Sequence, residues 1–134
     1  MPVNASENFA RAICSDKFDP DTGEISPSLF KGENTSVSRL ALTPLPETWP
    51  LFRRRVEKPP ERTLERIGTM NVGRLHEIGI SYQASPRELT VEPDPQPNYP
   101  SHAVIPQKIS RGLANELIRY LEVHSEDPPC RIRG

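Results

Sequence analysis

The chain has 134 residues, which suits one domain, since domains most often contain about 100–150 residues. Its 17 basic and 18 acidic residues give a net charge of −1, and this balance excludes the strong overall positive field of many proteins that bind nucleic acid or anionic membranes. Hydrophobic residues make up only 34 % of the chain and prolines number 16, so we expect a modest core and long irregular loops, because each proline removes a backbone donor.

The first part of the chain, residues 1–34, shows no sustained hydrophobic periodicity and is predicted to be an irregular segment packed on the domain. Residues 18–25 predict a turn, because Asp side chains bond nearby backbone and Gly23 accepts a positive φ. A calcium loop is excluded there. Neither Asp16 nor Asp19, taken as the first ligand, places a glycine at the sixth position and a glutamate at the twelfth.

The first predicted strand covers residues 36–42, where β-favouring residues lie between Asn34 and Pro44. Alternation puts Val37 and Arg39 on one face of this strand, whereas Ser36, Ser38 and Leu40 fall on the other.

The next stretch is predicted to be an extended connection followed by two helices. Residues 44–52 contain three prolines and are predicted to be extended. Helical character is expected within residues 53–69, after the paired prolines, and again over residues 71–79. Asn71 is a candidate N-cap of the second helix, and Gly79 is a candidate stop.

The last third of the chain alternates predicted strands with a proline-rich segment. Residues 80–84 and 88–92 predict strands, and residues 93–100 carry proline so densely that they predict a polyproline II strap. Residues 101–105 predict a further strand. Residues 110–123 repeat leucine and isoleucine at helical spacing and predict an amphipathic helix.

These elements predict an α+β domain over residues 35–124. We expect a small mixed or antiparallel sheet of three to four strands, with helices on one face and long proline-rich loops. Residues 125–134 are predicted to form a frayed C-terminal tail.

Compartment and cofactors are constrained mainly by missing features. Cys14 and Cys130 lie far apart without a Cys-x-x-Cys pair, so we expect reduced thiols in the cytoplasm and no metal site. The sequence shows no leader and no long apolar run, so no membrane association is expected. No phosphate loop or dinucleotide fingerprint occurs, and we expect no cofactor.

One candidate ligand site joins the first predicted strand to a late one. His102 opens a strand directly after the proline-rich strap, at a sheet edge where binding sites tend to form. If the strands are neighbours, then Arg39 and His102, with Ser38, could hold a nucleotide phosphate or a carboxylate by charge-assisted hydrogen bonds. The alternative is structural: His102 caps the strap by bonding a backbone carbonyl, and Arg39 extends from a strand end into water.

The same segments carry a resemblance. Residues 27–30 (Pro-Ser-Leu-Phe), 36–39 (Ser-Val-Ser-Arg), 93–95 (Pro-Asp-Pro) and 100–105 (Pro-Ser-His-Ala-Val-Ile) together resemble an uncharacterised family of small bacterial proteins. In that family a Ser-Val-x-Arg strand precedes a proline-rich stretch and a His-Ala pair. The resemblance implies a bacterial accessory protein, associated with mobile or defence-type gene neighbourhoods. The helix after Ile105 departs from it.

Three functions stay open. The first is a non-catalytic accessory or regulatory protein that binds a protein partner from the same operon. Its expected surface is formed by Pro95, Pro97, Tyr99 and Tyr120.

The second is a small nucleotide-binding or nicotinamide-dependent enzyme, similar to ADP-ribosyl transferases in its Arg39 and His102 pair. For such an enzyme, the sequence offers no well-placed catalytic glutamate. The third is a nucleic-acid binder that contacts phosphates through Arg53, Arg54 and Arg55, although acidic residues dilute that cluster.

Overall fold

A six-stranded antiparallel sheet forms the centre of the structure, a computed structural model that describes residues 2–126. The order across the sheet is β4-β5-β2-β1-β3-β6. The α+β class is confirmed, but the sheet is wider than the three to four strands predicted. The strands are β1 (Asn8–Cys14), β2 (Thr35–Arg39), β3 (Leu64–Asn71), β4 (Glu92–Pro93), β5 (His102–Ile105) and β6 (Glu122–His124).

Three helices accompany the sheet within the described residues: α1 (Leu45–Val56), α2 (Val72–Ser81) and α3 (Arg111–Tyr120). Two of them begin with a side-chain N-cap, and the cap predicted at Asn71 is confirmed. The Asn71 side chain accepts a hydrogen bond from the Arg74 backbone at the start of α2, and the Ser110 side chain accepts one from the Leu113 backbone at the start of α3. Each cap satisfies a donor that the first helical turn leaves without a partner.

β1 corrects the description of residues 1–34 as irregular. It lies between β2 and β3 and pairs with β3 along its whole length. Phe9 and Ile13 face one side of the sheet, and Ala10 and Ala12 face the other. The alternation was missed because alanine, which is depleted in strands, supplies one of the two faces.

The prediction for residues 44–69 is wrong in both halves. Residues predicted as extended form α1, which tolerates Pro46 in its first turn because that position needs no donor. Residues 64–69, predicted as helix, form β3. The predicted strand at residues 80–84 is also wrong, since α2 continues past Gly79 to Ser81.

Helices cover both faces of the sheet, so the prediction of helices on one face is wrong. α1 packs its buried residues Trp49, Leu51 and Phe52 against Ala10 and Ile67. α2 and α3 pack on the other face, where their buried residues join a larger cluster with Phe9, Ile13, Val37, Met70, Ala103 and Ile105.

The proline-rich strap is partly ordered by pairing. Pro93 belongs to the edge strand β4, a position where proline is tolerated because one side of the strand needs no donor. The chain then turns back, with Gln96 and Tyr99 bonded to each other through both backbone groups. Among residues 2–126, no helix combines the length and apolar character that crossing a bilayer requires. Most of the predicted tail, including Cys130, lies outside the described residues.

Candidate functional site

A cleft opens between the C-terminal half of α1, the sheet and the turn that precedes β5. Its volume is about 270 Å³, and we call it the α1 cleft. Phe52 and Val56 supply apolar wall. Larger and more open grooves exist elsewhere, one of about 800 Å³ beside residues 16–27. The α1 cleft differs from them because it brings two arginines together with a histidine and two hydroxyl groups. Its polar lining is Arg11, Ser36, Arg55, Gln96, Tyr99 and His102.

Arg11 occupies the place where β1 and β2 separate. Its Nε donates to the carbonyl of Leu29 at 3.1 Å, and its Nη1 donates to the carbonyl of Ser36 at 3.0 Å. A guanidinium group has five N–H donors, so these two bonds leave three without an acceptor among residues 2–126. Burial lowers the pKa of Arg11 from its ordinary value, as expected when a charge loses its hydration.

No carboxylate of the described residues forms an ion pair with Arg11. Negative charge at Cys14, at Tyr99 and then at Asp16 would raise the pKa of Arg11, in that order of size, but each effect is weaker than the lowering by burial. Asp16 instead pairs with Lys17 at 3.7 Å. Arg11 is therefore a partly buried cation without a carboxylate partner among residues 2–126.

Arg55 extends from the last turn of α1 over the other wall of the cleft. Its guanidinium carbon lies 5.0 Å from the centre of the Tyr99 ring, and its Nη2 donates to the carbonyl of Pro97 at 2.7 Å. Burial raises the pKa of Tyr99, whereas a hydrogen bond with Ser38 and the charges of Arg55 and Arg11 partly offset that rise. Both guanidinium groups thus act on the same phenolic oxygen.

His102 is held in a defined orientation at the end of the cleft. Its Nδ1 lies 2.9 Å from the backbone carbonyl of Asp94 and 3.2 Å from the carboxylate Oδ2 of the same residue. Its Nε2 lies 3.2 Å from the hydroxyl of Ser36. Tyr99 packs against the imidazole in a T-shaped arrangement, at a ring-centre distance of 5.0 Å and an interplanar angle of 68°, so the ring has an aromatic neighbour as well as partners at both nitrogens.

The predicted pairing of Arg39 with His102 is half right. β2 and β5 are neighbours, but the residue opposite His102 is Ser38. Arg39 is the next residue along β2 and therefore faces the other side of the sheet. There its Nε and Nη2 bind the two carboxylate oxygens of Glu7 at 3.1 and 2.8 Å. Arg39 and His102 share no site.

The other predicted ligand residue on β2, Ser38, faces the correct side but is fully buried. Its hydroxyl donates to the Ser101 hydroxyl, which also accepts from Thr43. Ser36, which the prediction did not include, is exposed and contacts His102 instead.

The predicted arginine cluster does not form one surface. Consecutive helical residues point about 100° apart. Arg53 pairs with Glu126, Arg54 is exposed, and Arg55 covers Tyr99. Only Arg55 faces the cleft.

The predicted partner surface is divided as well. Pro95 and Pro97 are exposed, but Tyr99 is buried against α1. Tyr120 is exposed on α3, on the opposite face of the sheet, and stacks with Arg74 at 4.8 Å.

Sequence reasoning missed Arg11, Ser36 and Asp94. Arg11 could have been found only if β1 had been recognised, since an arginine between alanines in a central strand is unusual. The two segments that carry the family resemblance around Ser36 and His102 do lie next to each other in the sheet.

Comparisons with protein-family models, curated proteins and solved structures find no match to this chain. The indications of function therefore come from the site itself. Within residues 2–126, no group of three or more His, Cys, Asp or Glu residues could hold a metal ion.

Proposed function

We propose that the protein is a binding module for a small anionic ligand, a phosphate- or carboxylate-bearing molecule held in the α1 cleft. Arg11 would supply a half-buried positive charge. Arg55 would contact the ligand from the α1 side, and the Gln96 side chain would form uncharged hydrogen bonds with it.

The observation that carries this proposal is the state of Arg11. Burying part of a charge has a cost unless the charge is paired and hydrogen-bonded, yet this half-buried guanidinium has no carboxylate partner among residues 2–126. Arg11 lines a cleft that Arg55 lines as well. A bound anion would satisfy the remaining donors, and planar guanidinium groups suit the geometry of phosphate and carboxylate oxygens.

The cleft favours a small ligand over a nucleic acid. About 270 Å³ lies near the lower limit of small-molecule sites. The divergence of Arg53, Arg54 and Arg55 removes the continuous basic surface that a phosphate backbone requires.

The expectation of a protein partner from the same operon, and of a bacterial accessory role, remains a prediction. The exposed prolines of the strap, Pro95 and Pro97, are its best remaining support. Co-purification of the tagged chain with the products of neighbouring genes tests it, and a clean monomer would count against it.

A thermal-shift screen tests the proposed function. The ligands are inorganic phosphate, pyrophosphate, nucleoside monophosphates and short dicarboxylates, each compared with sodium chloride at equal ionic strength. A ligand at about 100 times its dissociation constant adds about 2.7 kcal/mol of stability, which raises the melting temperature of a domain of this size by several degrees. If no anion exceeds the chloride control, the proposal fails.

A further inference from the structure

We infer that Ser36, His102 and Asp94 form a nucleophile, base and orienting carboxylate that cleave an ester at the α1 cleft. The inference rests on the proposed function only for the charge of the substrate, which would be a carboxylic ester bearing an anionic group. The relevant contacts are Ser36 Oγ to His102 Nε2 at 3.2 Å and His102 Nδ1 to Asp94 Oδ2 at 3.2 Å.

The proton positions follow from the neighbours of the imidazole. Both atoms beside Nδ1 are oxygens of Asp94, one from the backbone carbonyl and one from the carboxylate, and each can only accept. Nδ1 must therefore carry a proton. In the neutral ring Nε2 is then unprotonated and accepts from the Ser36 hydroxyl, which is the direction of proton transfer that general-base activation of a serine needs.

Ser36 and Ser38 lie on the same face of β2 but differ in solvent exposure. Ser36 is exposed at the cleft. Ser38 is fully buried and donates to Ser101. The side chain of His102 is only 8 % exposed, so the base is shielded while the nucleophile is reachable.

Positive charge lies beside the position where negative charge would develop. Arg11 donates to the backbone carbonyl of Ser36 itself, and it retains donors that face no acceptor among residues 2–126. A preorganised cation beside an ester carbonyl stabilises the oxyanion of a tetrahedral intermediate. The same group would hold the anionic end of a substrate, with Arg55 opposite.

The reaction balances without a co-reactant other than water. The Ser36 oxygen bonds to the ester carbonyl carbon while its proton passes to Nε2 of His102. The carbon–oxygen bond to the alcohol breaks, and the alcohol leaves with that proton. Water then attacks the acyl-serine, giving its proton to Nε2, and Ser36 regains a proton as the carboxylic acid departs.

An active-site-directed fluorophosphonate probe tests the inference, with the labelled residue mapped by mass spectrometry. The native chain is expected to be labelled at Ser36, and Ser36→Ala is expected to lose the label. Ser6→Ala, at an exposed serine outside the cleft, serves as the matched control and should be labelled as the native chain is. Asp94→Ala should label about 10- to 100-fold more slowly, since a hydrogen bond to a charged group contributes about 1.5–3 kcal/mol. Asp94 is half exposed, with a side chain 52 % accessible, so this variant should still fold.

Absence of label at Ser36 in the folded native chain overturns the inference, as does equal labelling in Ser36→Ala. The two proposals fail separately. Saturable pyrophosphate binding without labelling would leave the binding module and remove the catalysis, whereas labelling without anion binding would do the reverse.

Discussion

The hydroxyl of Ser36 lies 3.2 Å from Nε2 of His102, across two neighbouring strands whose register places Ser38, not Ser36, opposite the histidine. The contact is diagonal, which is within reach of side chains on one face of an antiparallel pair. Because alternate residues face opposite sides, the same register turns Arg39 away from the cleft. Ser36 and Arg39, three positions apart on β2, therefore lie on opposite faces: Ser36 belongs to the site, and Arg39 ties the sheet to the N-terminal segment.

Replacing Arg55 should weaken anion binding far more than replacing its neighbour. We expect Arg55→Gln to raise the dissociation constant for pyrophosphate about tenfold or more, because it removes a charge-assisted contact. Arg54→Gln carries the same loss of charge on the adjacent, exposed position and should change the constant less than twofold. Calorimetric titration at fixed ionic strength measures both. If the two substitutions weakened binding equally, the arginines of α1 would attract the anion only through their overall charge and not through a specific contact by Arg55.

Arg39 should be structural. Its pair with Glu7 is mostly buried, with side chains 22 % and 18 % exposed, so Arg39→Met and Glu7→Gln should each lower the free energy of unfolding by about 1–2 kcal/mol. The double variant should cost less than the sum, since the residues share one interaction. Urea denaturation measures the stabilities. A tenfold loss of pyrophosphate affinity in Arg39→Met would contradict this structural role and would mean that Arg39 contributes to ligand binding.

Two glycines in helices should respond differently to alanine. A Cβ at Gly79 would meet the backbone carbonyl of Arg87 and the Leu89 side chain, whereas a Cβ at Gly112 would meet the end of the Tyr82 side chain. Backbone cannot move aside cheaply, so Gly79→Ala should destabilise the fold by about 1–3 kcal/mol. Gly112→Ala should cost less than about 1 kcal/mol, because helix propensity favours alanine. The reverse order in urea denaturation would contradict the packing of α2.

Cys14 should be unreactive in the folded protein. The residue is 6 % exposed, and burial, followed by the charge of Asp16, raises the pKa of its thiol, so little thiolate exists near neutral pH. In a Cys130→Ser background, modification by a disulfide reagent should be at least about 100-fold slower in native buffer than in urea, since it requires opening of a central strand.

The same shift predicts a pH dependence of stability. The pKa of Cys14 is raised on folding, so its contribution is complete below the ordinary thiol value of about 8.5 and is lost as the pH rises through the folded value. Cys14→Ala should flatten this alkaline loss. A decline of equal size in Cys14→Ala would assign the effect to other groups.

The features predicted correctly are those that depend on residues close together in the sequence. The N-cap at Asn71 and the leucine spacing of α3 depend on neighbours within one or two turns, and both were predicted correctly. β1 and β3 depend on each other instead: neither Ala10 nor Arg66 favours a strand alone, but the two segments pair along β1. Such non-local pairing overrides local propensity.

The candidate site was predictable only in part. His102 follows the proline-rich strap, and its position at a strand end was enough to single it out. Arg11 could not be found, because its role depends on the separation of β1 and β2. Arg39 was predicted to lie in the site because its strand was expected to pair with the strand of His102, and the two strands do pair. Which face of the sheet Arg39 occupies depends on the register between these two distant segments.

The account depends most directly on Arg11 as the receptor of a bound anion. We predict that pyrophosphate binds the native chain saturably at constant ionic strength, and that Arg11→Met weakens binding at least about tenfold, with Arg11→Lys intermediate. The Arg11→Met variant should fold with a stability within about 1 kcal/mol of the native chain, since it removes an incompletely compensated charge. Calorimetric titration that shows no saturable binding to the native chain, or equal binding to a folded Arg11→Met variant, would contradict the account.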